Sequence, residues 1–165
     1  LGGREGAKQH LEMFWKMVSE AGALTPFQKL PWDTAFTGWN LDTNPLYHYF
    51  DVFSRLFSPY DLNPLNINPL RHVLDEMLDL PALQACSMIK VFITATHVAS
   101  GQARVFECHE ITTDVLLASA CLPFLFQAVE IAGEHYWDGG YMGNPAIWPL
   151  IYHCTSRDFA LVQIN

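Results

Sequence analysis

A strand–turn–strand pattern between residues 88 and 107 limits what this chain can fold into more than any other feature. Met88 to Val98 is dense in β-branched residues, which favour strands. Ser100-Gly101-Gln102 has the composition of a tight turn, and Ala103 to Glu107 can pair back on the first strand. The pattern therefore predicts a β-hairpin in the middle of the chain.

Helices are predicted on both sides of this hairpin. Arg4 to Ala21 carries apolar residues at helical spacing, with charged residues between them. A second helix should begin at Asn68-Pro69, because Asn caps free backbone N–H groups and Pro suits the first helical position. A third, Asp114 to Cys121, has Thr112 or Thr113 as its N-cap.

Further strands are predicted towards the end of the chain. Gln127 to Ile131 and His135 to Trp137 flank the turn Ala132-Gly133-Glu134 and form a second, smaller hairpin. Phe159 to Ile164 is a continuous apolar run, which is typical of a strand buried on both faces of a parallel sheet. Because helices and strands alternate, the predicted fold class is α/β, with a mostly parallel sheet flanked by helices and small hairpins.

The chain is acidic and sparsely charged. It has 9 Lys+Arg against 17 Asp+Glu, a net charge of −8, and only 16% charged residues where a soluble domain has roughly 25%. The shortage of basic residues argues against nucleic-acid binding and against docking on an anionic membrane through a basic face. No apolar stretch approaches the roughly 20 residues of a membrane-spanning helix. The four cysteines lie in apolar sequence without CxxC pairing, which favours reduced thiols and a cytoplasmic location.

The triplet Asp138-Gly139-Gly140 follows the second hairpin directly. An Asp at a strand exit, followed by glycines that are free to take positive φ, can be held close to a ligand. The same triplet can be an Asp that only caps a glycine-rich turn. The local pattern leaves both interpretations open.

Several further motifs accompany this triplet along the chain. They are Thr94-Ala95-Thr96, residues 101–106, Leu117-Ala118-Ser119-Ala120-Cys121-Leu122-Pro123, Val129-Glu130-Ile131 and Asn144-Pro145. In their order and spacing, over about residues 90–165, they resemble the patatin-like phospholipase family, and residues 60–80 resemble its bacterial branch. The resemblance implies a partial three-layer patatin-like fold.

The resemblance also implies a chemistry for the triplet. Asp138 would be the general base of a Ser-Asp dyad without a histidine, taking the Ser proton during acylation and activating water for deacylation. Gly139 and Gly140 would give the triplet its tight turn. The substrates would be carboxylic esters of phospholipids or acylglycerols, with transient contact to a membrane surface and with no metal or cofactor.

The chain departs from the family pattern at the nucleophile. The family serine lies in a Gly-x-Ser-x-Gly elbow, and none of the serines has these flanking glycines. We expect the elbow to precede Leu1, so that 1–165 is one partial domain completed by the remainder of the parent chain: a helix at 1–22, an aromatic-rich cap-like region at 23–85 and a sheet region at 86–165. The isolated segment is then expected to be inactive. The alternative is a non-catalytic module that binds lipid or a protein partner.

For the other candidate residues, a structural role is the expected one. Ser119 belongs to a structural helix in the resemblance, and His153, although it follows Asp138 as in an ordinary α/β-hydrolase, is expected to be a packed histidine. His97, Cys108 and His109 could converge across the first hairpin as metal ligands, but nothing else in the sequence completes such a set.

The segment from Pro26 to Tyr60 is rich in aromatic residues and poor in charge. Its candidate substrate-binding residues are Trp32, Phe36 and Trp39. They could line a groove for an acyl chain, or they could pack as ordinary short helices on the sheet. Both interpretations stay open.

Overall fold

Residues 3–22, 56–143 and 146–162 are described by a computed structural model of the chain. The chain divides into two units, residues 1–78 with 124–127 and residues 79–123 with 128–165.

The described part of the first unit is helical. It contains α1 (Gly3–Gly22), α2 (Pro59–Leu62) and α3 (Pro69–Met77). The predicted helix at Arg4 to Ala21 is confirmed by α1, which packs against α3. The predicted start of α3 is also confirmed, because the Asn68 side chain accepts a hydrogen bond from the Leu70 N–H at 3.1 Å.

The second unit begins with α4 (Leu80–Gln84) and the first predicted hairpin, formed by β1 (Phe92–His97) and β2 (Ala103–Glu107). The two strands are antiparallel, and their register runs from Phe92 opposite Glu107 to Thr96 opposite Ala103. The prediction extended the first strand back to Met88. The strand is shorter because β2 ends at Glu107, opposite the first residue of β1.

A second hairpin completes a four-stranded sheet. β3 (Val129–Ile131) and β4 (Glu134–Asp138) pair with each other, and β4 also pairs with β1, which gives the order β2-β1-β4-β3. Every strand pair is antiparallel, so the prediction of a mostly parallel sheet is wrong for the described residues. Within each hairpin a tight turn imposes antiparallel pairing, because parallel neighbours need a long crossover. The pairing of β1 with β4 joins the two hairpins and follows no local turn signal.

One face of this sheet is covered by α5 (Thr113–Ser119), which contacts β1, β3 and β4. Thr112 is its N-cap, because its hydroxyl accepts a hydrogen bond from the Val115 N–H at 3.3 Å. The buried core cluster lies between helix and sheet and consists of Ala95, Phe106, Val115, Ala118 and Tyr136. The class is thus a mixture of helix and sheet, consistent with α/β, while the three-layer arrangement stays a prediction.

The chain then forms α6 (Trp148–His153), whose His153 ring lies 5.3 Å from the Phe92 ring. The strand predicted at Phe159 to Ile164 is not formed by residues 159–162, which are exposed, and residues 163–164 lie outside the described part. Each internal strand of the described sheet, β1 and β4, already has two neighbours, which are its hairpin partner and the other internal strand. An apolar run does not specify a pairing partner, and here other strands take the places in the sheet.

Candidate active site at the end of strand β4

Asp138 is the last residue of β4, and its backbone is held on both sides. Its N–H donates to the Cys121 carbonyl at 2.9 Å, just beyond the end of α5. Its carbonyl accepts a hydrogen bond from the Thr96 hydroxyl of β1 at 2.8 Å. The position of the residue is therefore fixed by the neighbouring strand and by the segment that follows the helix.

The Asp138 carboxylate is partly exposed, and only one of its oxygens has a hydrogen-bond partner in the described residues. Oδ1 accepts from the Gly140 N–H at 2.7 Å and so caps the 3-10 turn Gly139–Tyr141. Oδ2 receives no hydrogen bond from the described part of the chain. The Asp138 side chain therefore caps the glycine-rich turn through one of its two oxygens.

Gly139 is required by close packing. A Cβ at this position would lie 2.1 Å from the Thr94 carbonyl oxygen and 2.7 Å from the Thr94 carbonyl carbon. Its φ is not positive, so Gly139 does not use the freedom of a glycine to take positive φ. The glycine lets the turn after Asp138 approach the backbone of β1.

Cys121 is fully buried beside the aspartate. Burial raises the pKa of its thiol to about 11, the negative charge of Asp138 acts in the same direction, and a hydrogen bond from the Val129 backbone opposes them. The thiol is therefore protonated and neutral near pH 7. A protonated thiol is a poor nucleophile, so Cys121 is not itself a candidate nucleophile near pH 7.

Ser119 and His153, for which the sequence predicts structural roles, both make local contacts. The Ser119 hydroxyl donates to the Leu116 carbonyl of its own helix at 2.7 Å, as expected of a structural serine. His153 is exposed at the end of α6 and lies against the Phe92 ring. Neither side chain is hydrogen-bonded to Asp138.

The hairpin register keeps the three metal-ligand candidates apart. His97 ends β1, while Cys108 and His109 follow β2 at the opposite end of the hairpin, about 16 Å away along a five-residue strand. Within the described ranges, no three His, Cys, Asp or Glu side chains form a group that could hold a metal ion.

His97 instead contacts Ser100 and Glu134, at 2.7 and 2.9 Å. Sequence reasoning missed this group, and it also missed the thiol beside Asp138. The only sequence signal for the group around His97 was the turn that follows β1, since a turn can fold Ser100 back onto His97. The approach of Glu134 and of Cys121 depends on how the two hairpins and α5 pack, which no local pattern contains.

The aromatic candidates lie in the part of the chain that the structure leaves undescribed. Trp32, Phe36 and Trp39 all fall within residues 23–55, and Asn144-Pro145 of the motif run is likewise outside the described residues. Their proposed roles stay predictions.

Comparison with known proteins gave one result. The family model described as patatin-like phospholipase matches residues 8–151, which is most of the 165-residue chain. Neither the curated proteins nor the solved structures gave a match. In the described residues, no helix combines the length and the apolar character that a membrane crossing requires.

Proposed function

Because the chain belongs to the patatin-like phospholipase family, we propose that Asp138 is the general base of a Ser-Asp pair that hydrolyses carboxylic esters of lipids. The observation that supports this most directly is the carboxylate itself. Its backbone is held by Thr96 and Cys121, Oδ1 is bound by the Gly140 N–H, and Oδ2 faces no donor in the described residues.

The proposed reaction needs a carboxylate whose position is fixed. A serine hydroxyl is a weak nucleophile until a base within hydrogen-bond reach takes its proton. Oδ2 of Asp138 would accept this proton while the serine attacks the ester carbonyl, and would later take a proton from the water that releases the acyl group. The hydrogen bond to Oδ1 holds the carboxylate orientation during both steps.

The serine of the pair is proposed to come from sequence outside these 165 residues, because they contain no Gly-x-Ser-x-Gly segment. The donors that stabilise the oxyanion are proposed to come from the same outside sequence. Removing such a donor costs roughly 100-fold or more in rate. We therefore expect the 165-residue chain to show no lipid-ester turnover that depends on Asp138.

The test compares two conservative variants. In an extended chain that carries a Gly-x-Ser-x-Gly segment before Leu1, Asp138→Asn should lower kcat for a p-nitrophenyl ester roughly 100-fold to 10,000-fold. Asp79→Asn is the matched control, because Asp79 Oδ1 also caps a turn, accepting from the Ala82 N–H at 3.0 Å. Its kcat should not change. Equal rates for Asp138→Asn and wild type would refute the role of Asp138, and Asp138-dependent turnover by the 165-residue chain would refute the outside serine.

The absence of a nucleophile segment also supports a second candidate, a non-catalytic module that binds lipid or a protein partner. It predicts that the chain floats with phosphatidylcholine vesicles, or captures a partner, while no longer version of it hydrolyses esters. Parent sequence without a Gly-x-Ser-x-Gly segment before Leu1 would favour this candidate over the hydrolase.

A further inference from the structure

We propose that Ser100 is a second nucleophile, activated by His97 and Glu134, that accepts the acyl group of small activated esters. The proposal uses none of the residues of the Ser-Asp pair and goes beyond that function. It starts from a continuous chain of side-chain contacts: Ser100 Oγ lies 2.7 Å from His97 Nδ1, and His97 Nε2 lies 2.9 Å from Glu134 Oε2.

The two hydrogen-bond partners of the His97 imidazole determine which ring nitrogen carries the hydrogen. The ionised Glu134 carboxylate can only accept a hydrogen bond, so Nε2 of His97 carries the hydrogen. In the neutral ring this leaves a lone pair on Nδ1, which accepts the Ser100 hydroxyl. The Gln102 N–H donates to the same Ser100 oxygen at 3.3 Å, so the hydroxyl hydrogen is available to the ring. The group thus has the three parts of a catalytic triad, a nucleophile, a base and an orienting carboxylate, with the two ring nitrogens exchanged: in serine proteases Nε2 faces the serine and Nδ1 the carboxylate.

The backbone holds the three residues in place. His97 ends β1, Glu134 begins β4, and Ser100 lies in the turn between β1 and β2. The turn is closed by two hydrogen bonds of His97, from its N–H to the Gln102 carbonyl at 2.9 Å and from the Gly101 N–H to its carbonyl at 2.8 Å. The His97 side chain is only 23% exposed, whereas Ser100 is open to solvent, so the base is shielded while the nucleophile is reachable.

The chemical step can be written with these groups alone. Ser100 Oγ forms a bond to the ester carbonyl carbon, its proton moves to His97 Nδ1, and the bond to the leaving aryl oxygen breaks. Glu134 stabilises the imidazolium that results. The Ser100 backbone N–H has no hydrogen-bond partner in the described part of the chain, so it is free to donate to the developing oxyanion, as the nucleophile's own N–H does in serine proteases. An exposed turn offers little binding area, which points to small activated esters.

The test follows acetylation of Ser100 by p-nitrophenyl acetate, with quenching and peptide mass spectrometry. We expect acetyl-Ser100 to form with release of p-nitrophenolate, roughly 100-fold faster than in His97→Gln. Ser87 is the internal control in the same chain, because it is exposed and, in the described residues, no hydrogen bond joins its hydroxyl to an imidazole or a carboxylate. Acetylation of Ser87 should stay at the rate of the urea-unfolded chain. Equal rates at Ser87 and Ser100, or an unchanged Ser100 rate in His97→Gln, would overturn the proposal.

Glu134 is a positioning residue, and its role has a separate readout. Glu134→Ala should lower the Ser100 rate roughly 10-fold, and the ¹⁵N spectrum of His97 should change from the Nε2–H tautomer to the mixture of a free ring. Because Glu134 is exposed at a turn, this variant should fold as the wild type does, which circular dichroism checks. If neither the His97 tautomer nor the Ser100 acetylation rate changes in Glu134→Ala, Glu134 does not position His97, and the proposed triad is refuted.

Discussion

Gly139 has no room for a side chain, because it lies against the backbone of β1. A methyl group there would meet the Thr94 carbonyl, which belongs to the backbone of β1 and cannot rotate away. We expect Gly139→Ala to lower the free energy of unfolding by roughly 1–3 kcal/mol, the usual cost of overpacking. Urea titration followed by fluorescence measures it. Gly6→Ala is the matched control, since no atom lies within 4 Å of a Cβ there, and a similar loss in Gly6→Ala would contradict the steric explanation.

Cys121 is predicted to make stability depend on alkaline pH. Its pKa rises from an ordinary 9.0 to about 11 in the folded chain, first because of burial and then because of Asp138. Between these two values the unfolded thiol loses its proton while the folded thiol keeps it. Unfolding therefore becomes easier as pH rises from about 9 to about 11, and the contribution is complete below pH 9.

The measurement is the change in the free energy of unfolding between pH 8 and pH 10.5. We expect this change to be smaller in Cys121→Ala than in wild type, and to keep its wild-type size in Cys154→Ala, where the thiol is only partly buried. If Cys121→Ala and wild type lose the same free energy over this range, the buried thiol is not the cause.

The pairing of β1 with β4 is supported near Asp138 by a side-chain hydrogen bond from Thr96. Thr96 is buried, and its hydroxyl donates to the Asp138 carbonyl. Thr96→Val keeps the shape but leaves that carbonyl without this donor, so we expect a loss of about 1–3 kcal/mol in the free energy of unfolding. Thr94→Val is the control on the same strand, because the Thr94 hydroxyl has no partner in the described residues. A loss of the same size in Thr94→Val would show that the β1 threonines matter for another reason.

The elements that could be predicted from sequence are those whose signals are local. The turn at Ala132-Gly133 has positive φ at both residues, 53° and 82°, as a two-residue hairpin turn requires. The sequence predicted a turn here but included Glu134, which is the first residue of β4. The caps at Asn68 and Thr112 are equally local. The prediction of a parallel sheet was wrong because it was inferred from the alternation of helices and strands and from the apolar run at 159–164. Neither signal identifies which strands become neighbours.

At the site, too, only the features with a local sequence signal could be predicted. Asp138 could be selected from its triplet and its motif run, and the structure adds how the residue is held. The neighbours that hold it, Thr96 and Cys121, lie 42 and 17 positions earlier in the sequence numbering, and only the pairing of β4 with β1 and the packing of α5 bring them to the aspartate.

At the scale of the molecule, the aromatic segment carries the proposal for substrate binding. If Trp32 and Trp39 line a groove for an acyl chain, Trp32→Ala and Trp39→Ala in an extended chain with a nucleophile segment should raise KM for long-chain p-nitrophenyl esters more than for the acetate. Each buried methylene contributes about 0.8 kcal/mol, so the difference should grow with chain length. Trp148→Ala, in α6, is the comparison variant. An unchanged chain-length preference in both variants would leave ordinary packing as the explanation for the segment.

The net charge of −8 leads to a prediction about membrane binding, because it determines whether electrostatic attraction to a lipid surface is available to the chain. Basic segments gain about 1 kcal/mol for each Lys or Arg near an anionic membrane, and this chain has only 9 such residues against 17 acidic ones. Any vesicle binding should therefore come from apolar contact. We expect binding to phosphatidylcholine vesicles to be weakened by added phosphatidylserine and to be unchanged or strengthened by 0.5 M NaCl, as measured by flotation, since salt screens the repulsion. Stronger binding to the anionic vesicles, reversed by salt, would contradict this and would indicate a local basic surface that the overall charge conceals.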